Sequence, residues 1–194
     1  MTAFDLLFIL AVLASAAIWI LTAAAALRRS RARAWRILRI WVVCALLYLA
    51  AVAADGLASP RRVLKPGDPW CFDDWCLIVE RVTHTPEPPQ AAYTVSLRIF
   101  SRARRVSQRA KGAWIYVIDR AGRRYAPEPD NAALPLDVLL QPGESVSTSR
   151  TFKVPPDATG LALITGHGFP YWCRLPIIGD DSALWHQRTV VRLQ

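Results

Sequence analysis

Acidic residues are scarce in this chain, and the scarcity is complete near its start: none lies between Asp5 and Asp55. Over the whole sequence 15 Asp and Glu face 24 Lys and Arg, a formal net charge of +9. Histidine is sparse too. His84, His167 and His186 are scattered, and no serine near them sits in a G-x-S-x-G elbow, so a hydrolase nucleophile has no recognisable frame. Gly166-His167-Gly168 lacks the lysine and following helix of a phosphate loop. The paired acids Asp73-Asp74 and Asp180-Asp181 do not match the D-x-[DN]-x-[DN]-G calcium loop. No long amphipathic helical pattern occurs after residue 56, which excludes a helical bundle for that part.

What the chain has in abundance is apolar sequence at its beginning. Residues 4–27 form one run with Asp5 as its only charge, and residues 40–54 form a second, extendable back to residue 36. A bilayer core about 30 Å thick takes roughly 20 apolar helical residues. The first run meets that length; the second does so if Arg36 and Arg39 snorkel to the headgroups. The expectation is a transmembrane helical hairpin, about 4–27 and 36–54. Arg28, Arg29, Arg31, Arg33, Arg36 and Arg39 lie in and beside the connecting loop with no acid among them. Such short basic loops stay in the cytoplasm, so these six arginines are topology determinants that place both chain ends outside. A cleaved signal peptide with Ala14-Ser15-Ala16 at its cleavage site fits less well, because a basic n-region is missing and the apolar run continues past that site. An interfacial second helix, which would leave the rest of the chain inside, is the other alternative. Alanines crowd both runs, at 23–26 and at 50, 51, 53 and 54, and are read as the contact of a tight hairpin rather than of a dimer.

From Gly56 the composition changes. Residues 56–69 carry Pro60, Pro66, Gly67 and Pro69 and read as a linker. Residues 70–194 are enough for one domain. Short β-branched and aromatic segments recur between turn signals at 77–82, 93–100, 114–119, 146–154, 161–165 and 189–193. Tyr93, Val95, Leu97 and Ile99 alternate with Thr94, Ser96 and Arg98, as in a half-buried strand. This spacing predicts an all-β C-terminal domain of two packed sheets.

The segments Y-V-I-D-x-x-G-R-R-Y-x-P (116–127), L-x-P-G-E-S (140–145) and F-K-V-P (152–155) follow an acidic tryptophan motif and two strands. In that order they resemble the immunoglobulin-like domains of unknown function carried by bacterial lipoproteins and membrane-anchored envelope proteins. The resemblance covers about half of the outer domain. It implies an immunoglobulin-like β-sandwich outside the bacterial cytoplasmic (inner) membrane, and it transfers no catalytic residue. A two-helix anchor in place of a lipidated cysteine departs from the usual members.

Of four cysteines, Cys44 lies in the second apolar run, leaving three outside. Cys71 and Cys76 flank Phe72-Asp73-Asp74-Trp75 and are the preferred disulfide; Cys173 with either is the alternative and closes a longer loop. Zinc bound by these cysteines and His167 fits no standard spacing, so no metal or other cofactor is expected. The candidate interaction surface comprises Phe72, Asp73, Asp74 and Trp75 together with Asp180, Asp181, Trp185 and His186. A basic cluster, Arg98, Arg102, Arg104, Arg105, Arg109 and Lys111, reads first as a solvated loop that discourages aggregation, and otherwise as a surface for anionic headgroups or acidic envelope polymers; the compartment argues against nucleic acid. The expected function is a membrane-anchored, extracytoplasmic binding module with an envelope protein or polymer as partner. The alternatives are a small hydrolase or metal-dependent enzyme using His186 with Asp180 and Asp181, or an accessory subunit of a membrane complex.

Overall fold

The structure is a computed structural model that describes residues 3–28, 30–168, 175–178 and 183–193. It divides into two units. One comprises Met1–Pro60 with Pro170–Gln187, the other Arg61–Phe169 with Arg188–Gln194. The segment between the last two strands therefore groups with the helices and not with the sandwich, a division that the contiguous 70–194 domain did not anticipate.

The first unit contains helix α1 (Ala3–Leu27) and helix α2 (Arg31–Ala58). Both are long and apolar enough to cross a membrane by length and composition. Helix α2 begins earlier and ends later than the expected 36–54, because Arg and Ala are good helix formers and nothing between residues 31 and 36 breaks the helix. Its 28 residues measure about 42 Å at 1.5 Å per residue. Arg31, Arg33, Arg36 and Arg39 thus stand, exposed, on the first turns of α2 rather than in a loop.

The helices meet along a narrow seam. On α1 the less exposed residues are Phe8, Ala11, Ser15, Ile18, Thr22 and Ala25, alternately three and four apart. That is the spacing of a left-handed helix pair. Small side chains at four of these positions let the backbones approach closely. The Trp41 indole N–H donates to Ser15 Oγ at 3.1 Å, and Trp19 meets Trp41 edge-on with centroids 5.6 Å apart. Of the alanine block at 23–26, only Ala25 is buried. The large aliphatic side chains, among them Leu10, Leu13, Ile20, Leu46 and Leu47, point outward.

The second unit is a β-sandwich. One sheet has the order β1-β9-β8-β5-β6, from β1 (Val63–Leu64), β9 (Val190–Arg192), β8 (Ala162–Gly166), β5 (Trp114–Ile118) and β6 (Arg124–Tyr125). The other has the order β2-β3-β4-β7, from β2 (Trp70–Phe72), β3 (Trp75–Glu87), β4 (Gln90–Ser101) and β7 (Ser145–Val154). All pairs are antiparallel except β1 with β9. β1 is a strand inside the expected linker: its two residues pair with the far end of the chain and close the first sheet.

Tyr93, Val95, Leu97 and Ile99 of β4 face the core with Phe152 and Val154 of β7, Ile115 and Val117 of β5, and Leu161 and Leu163. On β3 the buried positions Trp75, Leu77 and Val79 would be followed, by strict alternation, by Arg81. A bulge between Val79 and Arg81 shifts the register, pairing Arg81 with Ser96 and Val82 with Val95. Glu80 is the extra residue, so Val82 and not the arginine takes the inward position.

The turn after β5 is closed by a buried carboxylate. Asp119, its side chain 1% exposed, accepts hydrogen bonds from the Arg123 backbone N–H (2.9 Å), Arg123 Nε (2.7 Å) and the Tyr125 hydroxyl (2.9 Å). Arg123 also pairs with Asp157 at 2.8 Å. Burial pushes the Asp119 carboxyl up, but the bonds from Arg123 and Tyr125 outweigh it and hold the group below the ordinary carboxylate range. Tyr125 is raised, first by burial and then by its bond to that carboxylate. Gly122, at φ +83°, supplies the left-handed residue the turn needs.

Candidate interaction surface

One end of the sandwich gathers most of the sequence-derived candidates. Phe72 pairs with Trp75 across a two-residue turn, Asp73-Asp74. Asp73 takes φ +53°, a conformation that a short polar side chain tolerates. Cys71 and Cys76 are directly opposed one step further along the ladder and form a disulfide. Because Trp75 pairs with Ser101, the turn lies at the same end of the sheet as the loop after β4. The Arg102 N–H donates to the Asp74 carbonyl at 2.7 Å. The Ser101 N–H donates to Glu144 at 2.9 Å and the Gly168 N–H to Lys111 at 2.9 Å, so four chain segments converge there.

The aromatic residues of the turn point mainly inward. Phe72 is half-buried, its ring 5.7 Å from Trp70, 6.0 Å from Trp75 and 4.5 Å, edge-on, from His167. Trp75 is 2% exposed, so it belongs to the core and is withdrawn from the candidate surface. As the first inward residue of β3, it is placed by strand alternation beneath the turn that it was expected to decorate. Its indole nitrogen is buried with no hydrogen-bond acceptor among the described residues. Asp73 and Asp74 are exposed.

Around the turn stands a fringe of cations. Arg102, Arg104, Arg105, Arg109 and Lys111 are all exposed, and Val106 is 60% exposed on the same loop. Arg109 pairs with Asp137 at 3.0 Å, and Arg98 with Glu80 at 3.1 Å. The guanidinium groups of Arg98 and Arg102 both lie over the Phe100 ring, 5.6 and 5.7 Å from its centre. Arg104, Arg105 and Lys111 have no carboxylate partner among the described residues. This end can therefore offer unneutralised positive charge beside two exposed carboxylates.

Sequence reasoning missed the outer face of the first sheet. Trp114 stacks on Tyr116 at 5.5 Å, Arg124 lies 5.2 Å above the Tyr116 ring, and Arg188 donates to the Tyr116 hydroxyl at 3.1 Å. A Cβ at Gly166, the cross-strand partner of Trp114, would collide with the indole. The period-two spacing of Trp114 and Tyr116 was the available signal, but it does not say which face is outward.

The remaining candidates are dispersed. Trp185 and His186 fall in the helical unit, and Asp180 and Asp181 lie outside the described residues. The turn at Phe72 to Trp75 and the pair Trp185-His186 therefore belong to different units. Trp185 is 62% exposed and His186 half-buried. Arg28 is exposed, while Arg29 and Cys173 lie outside the described residues. Cys44 is a free, exposed thiol on α2. Among the described residues no group of three His, Cys, Asp or Glu is placed to hold a metal ion.

No protein-family model and no curated protein matches this chain. Solved structures do. A secreted protein from Mycobacterium tuberculosis is 12% identical, with 58% of this chain and 94% of that one covered at a TM-score of 0.43. An uncharacterised β-sandwich protein from Clostridium difficile is 10% identical over 70% of this chain and 97% of that one, TM-score 0.41. The yjhA protein from Bacillus subtilis is 12% identical over 68% and 99%, TM-score 0.42.

Proposed function

We propose that this protein is a membrane-anchored interaction module of the bacterial envelope. In this reading α1 and α2 cross the cytoplasmic membrane, the connection between them faces the cytoplasm, and an immunoglobulin-like sandwich stands outside. The observation that carries the reading is the outward apolar surface of both helices, whose large aliphatic side chains stay exposed among the described residues. Two further features support it. The arginines flank the interhelical turn as cytoplasmic loops require, and the Cys71–Cys76 disulfide suits an oxidising compartment.

The binding end is the one built from the Asp73-Asp74 turn and the loop 102–112. Its unpaired cations favour a partner with acidic groups, an envelope protein or an anionic polymer. Tethering confines the search to the membrane plane, so a modest affinity suffices for occupancy. A photo-crosslinking residue at Val106, introduced into the full-length protein in native membranes, tests the assignment. A discrete adduct that diminishes when Arg104 and Arg105 are replaced by Gln is expected. Adducts obtained only from positions on α1 and α2 would instead identify the helices as the contact surface.

A further inference from the structure

Between β8 and β9 the chain leaves the sandwich, and the residues described there, 175–178 and 183–187, return to α2 within the helical unit. They are fastened to that helix at Tyr48 and, two turns on, at Gly56. The Tyr48 hydroxyl donates to the Pro176 carbonyl at 2.7 Å. Val52, one turn on, is fully buried. Gly56, one turn further, meets Leu184 backbone to backbone: a Cβ there would collide with the Leu184 carbonyl oxygen and lie 3.1 Å from the His186 nitrogen. The segment closes on itself through the Leu184 N–H to the Leu175 carbonyl and the His186 N–H to the Ala183 carbonyl, each 3.0 Å. It is a strap with a defined seat.

Trp185 is the unexplained residue of that strap. It is 62% exposed and holds φ +63°, a region that a bulky side chain avoids. A strained backbone that turns a large aromatic outward is costly unless the side chain gains something beyond the protein. Depth along α2 indicates what that is. Pro176 meets Tyr48, six residues or about 9 Å of helix before Ala54, the last residue of the apolar run, whereas Leu184 and His186, which flank Trp185, meet Gly56, two residues or about 3 Å beyond it. Interfacial segments bury their apolar faces about 5–10 Å into the headgroup–acyl boundary, and Trp is enriched at that level. Leu175, Ile177 and Ile178 on the same strap are only half-buried by protein.

We infer that the strap is a lipid-interface anchor: Trp185, with Leu175, Ile177 and Ile178, occupies the headgroup–acyl boundary beside α2 and fixes the depth and rotation of that helix. The inference rests on the reading of α1 and α2 as membrane spans. The ligand is bilayer lipid, engaged by an aromatic wedge rather than by charge.

The test uses the full-length chain with Cys44→Ala, Cys173→Ala and Trp185→Cys, which leaves Cys71–Cys76 bridged. An environment-sensitive fluorophore is attached to the new thiol in detergent, and the protein is reconstituted into phosphatidylcholine–phosphatidylglycerol vesicles. Blue-shifted emission, quenched more by shallow than by deep spin-labelled lipid, is expected. Adding Gly56→Leu, which denies Leu184 its seat, or Tyr48→Phe, which removes one fastening, returns the emission toward that of water. Water-like emission in all three proteins, while carbonate extraction leaves them in the vesicles, overturns the anchor but not the spans. Release of the unlabelled chain by carbonate overturns the spans, and the anchor with them.

Discussion

Asp119 organises its turn by accepting rather than by charge balance alone. Its carboxylate receives three donors at 2.7–2.9 Å from residues four and six positions later. The folded-state pKa is depressed, so this group stabilises the fold fully above the unfolded value, about 3.9. The contribution is lost as pH falls through the lower folded value. Asp119→Asn is therefore expected to lower the thermal midpoint of the sandwich at neutral pH and to flatten its decline below about pH 4. Near-UV dichroism of the detergent-solubilised protein reads this directly. An unchanged acid limb in the variant would show that other carboxylates carry the effect. This network also gives a physical meaning to the motif Y-V-I-D-x-x-G-R-R-Y-x-P. Its Asp is the acceptor, its Gly the left-handed turn residue, and its first Arg and second Tyr the donors. In L-x-P-G-E-S likewise, the Glu144 carboxylate accepts the Gln141 N–H at 2.7 Å while Gly143 turns the chain at φ +76°. Both motifs were legible in the sequence because they encode local turns. The inward placement of Trp75 was not, because it depends on which face of β3 meets the opposite sheet.

At the scale of the element, local pattern served well where partners are close and poorly where they are distant. The alternation of β4 places Tyr93, Val95, Leu97 and Ile99 in the core as read. For β3 the alternation changes phase at Glu80, and a bulge cannot be derived from one strand in isolation. β1 and β2 are two and three residues long and exist through pairing, β1 with residues 127 positions later. The helices show the same division. Their apolar character was plain, whereas the seam of Ala11, Ser15, Thr22 and Ala25 runs at heptad spacing and bypasses most of the alanine block. The hairpin of β2 and β3 carries a testable consequence. Its two opposed cysteines close a small loop of the unfolded chain, so Cys71→Ser with Cys76→Ser is expected to cost about 2 kcal/mol. Thermal melts of the double variant against the parent, both without reductant, measure it. Equal midpoints would mean that the ladder and the Arg102–Asp74 backbone bond hold the turn unaided.

On the scale of the whole molecule, two units with opposite surfaces share one chain. The helical unit exposes aliphatic side chains, whereas the sandwich buries most of its own and exposes arginine, lysine and acids. The net charge of +9 follows this division: in the proposed reading the arginines beside the helix connection act as a topology signal and those of loop 102–112 form the binding end. Composition made that division readable without a structure. The strap on α2 was not readable, because its seat combines Tyr48 and Gly56 with residues more than 100 positions away.

In the proposed topology the sandwich stands outside the cytoplasm on a two-helix anchor. Single cysteines settle it most directly: Ser30→Cys in the interhelical turn and Ser107→Cys in the basic loop, each in full-length protein carrying Cys44→Ala and Cys173→Ala. A membrane-impermeant maleimide is applied to spheroplasts before and after lysis. Labelling at position 107 in intact spheroplasts, and at position 30 only after lysis, is expected. Labelling at 30 in intact spheroplasts, with 107 protected until lysis, would place the sandwich in the cytoplasm and contradict that topology.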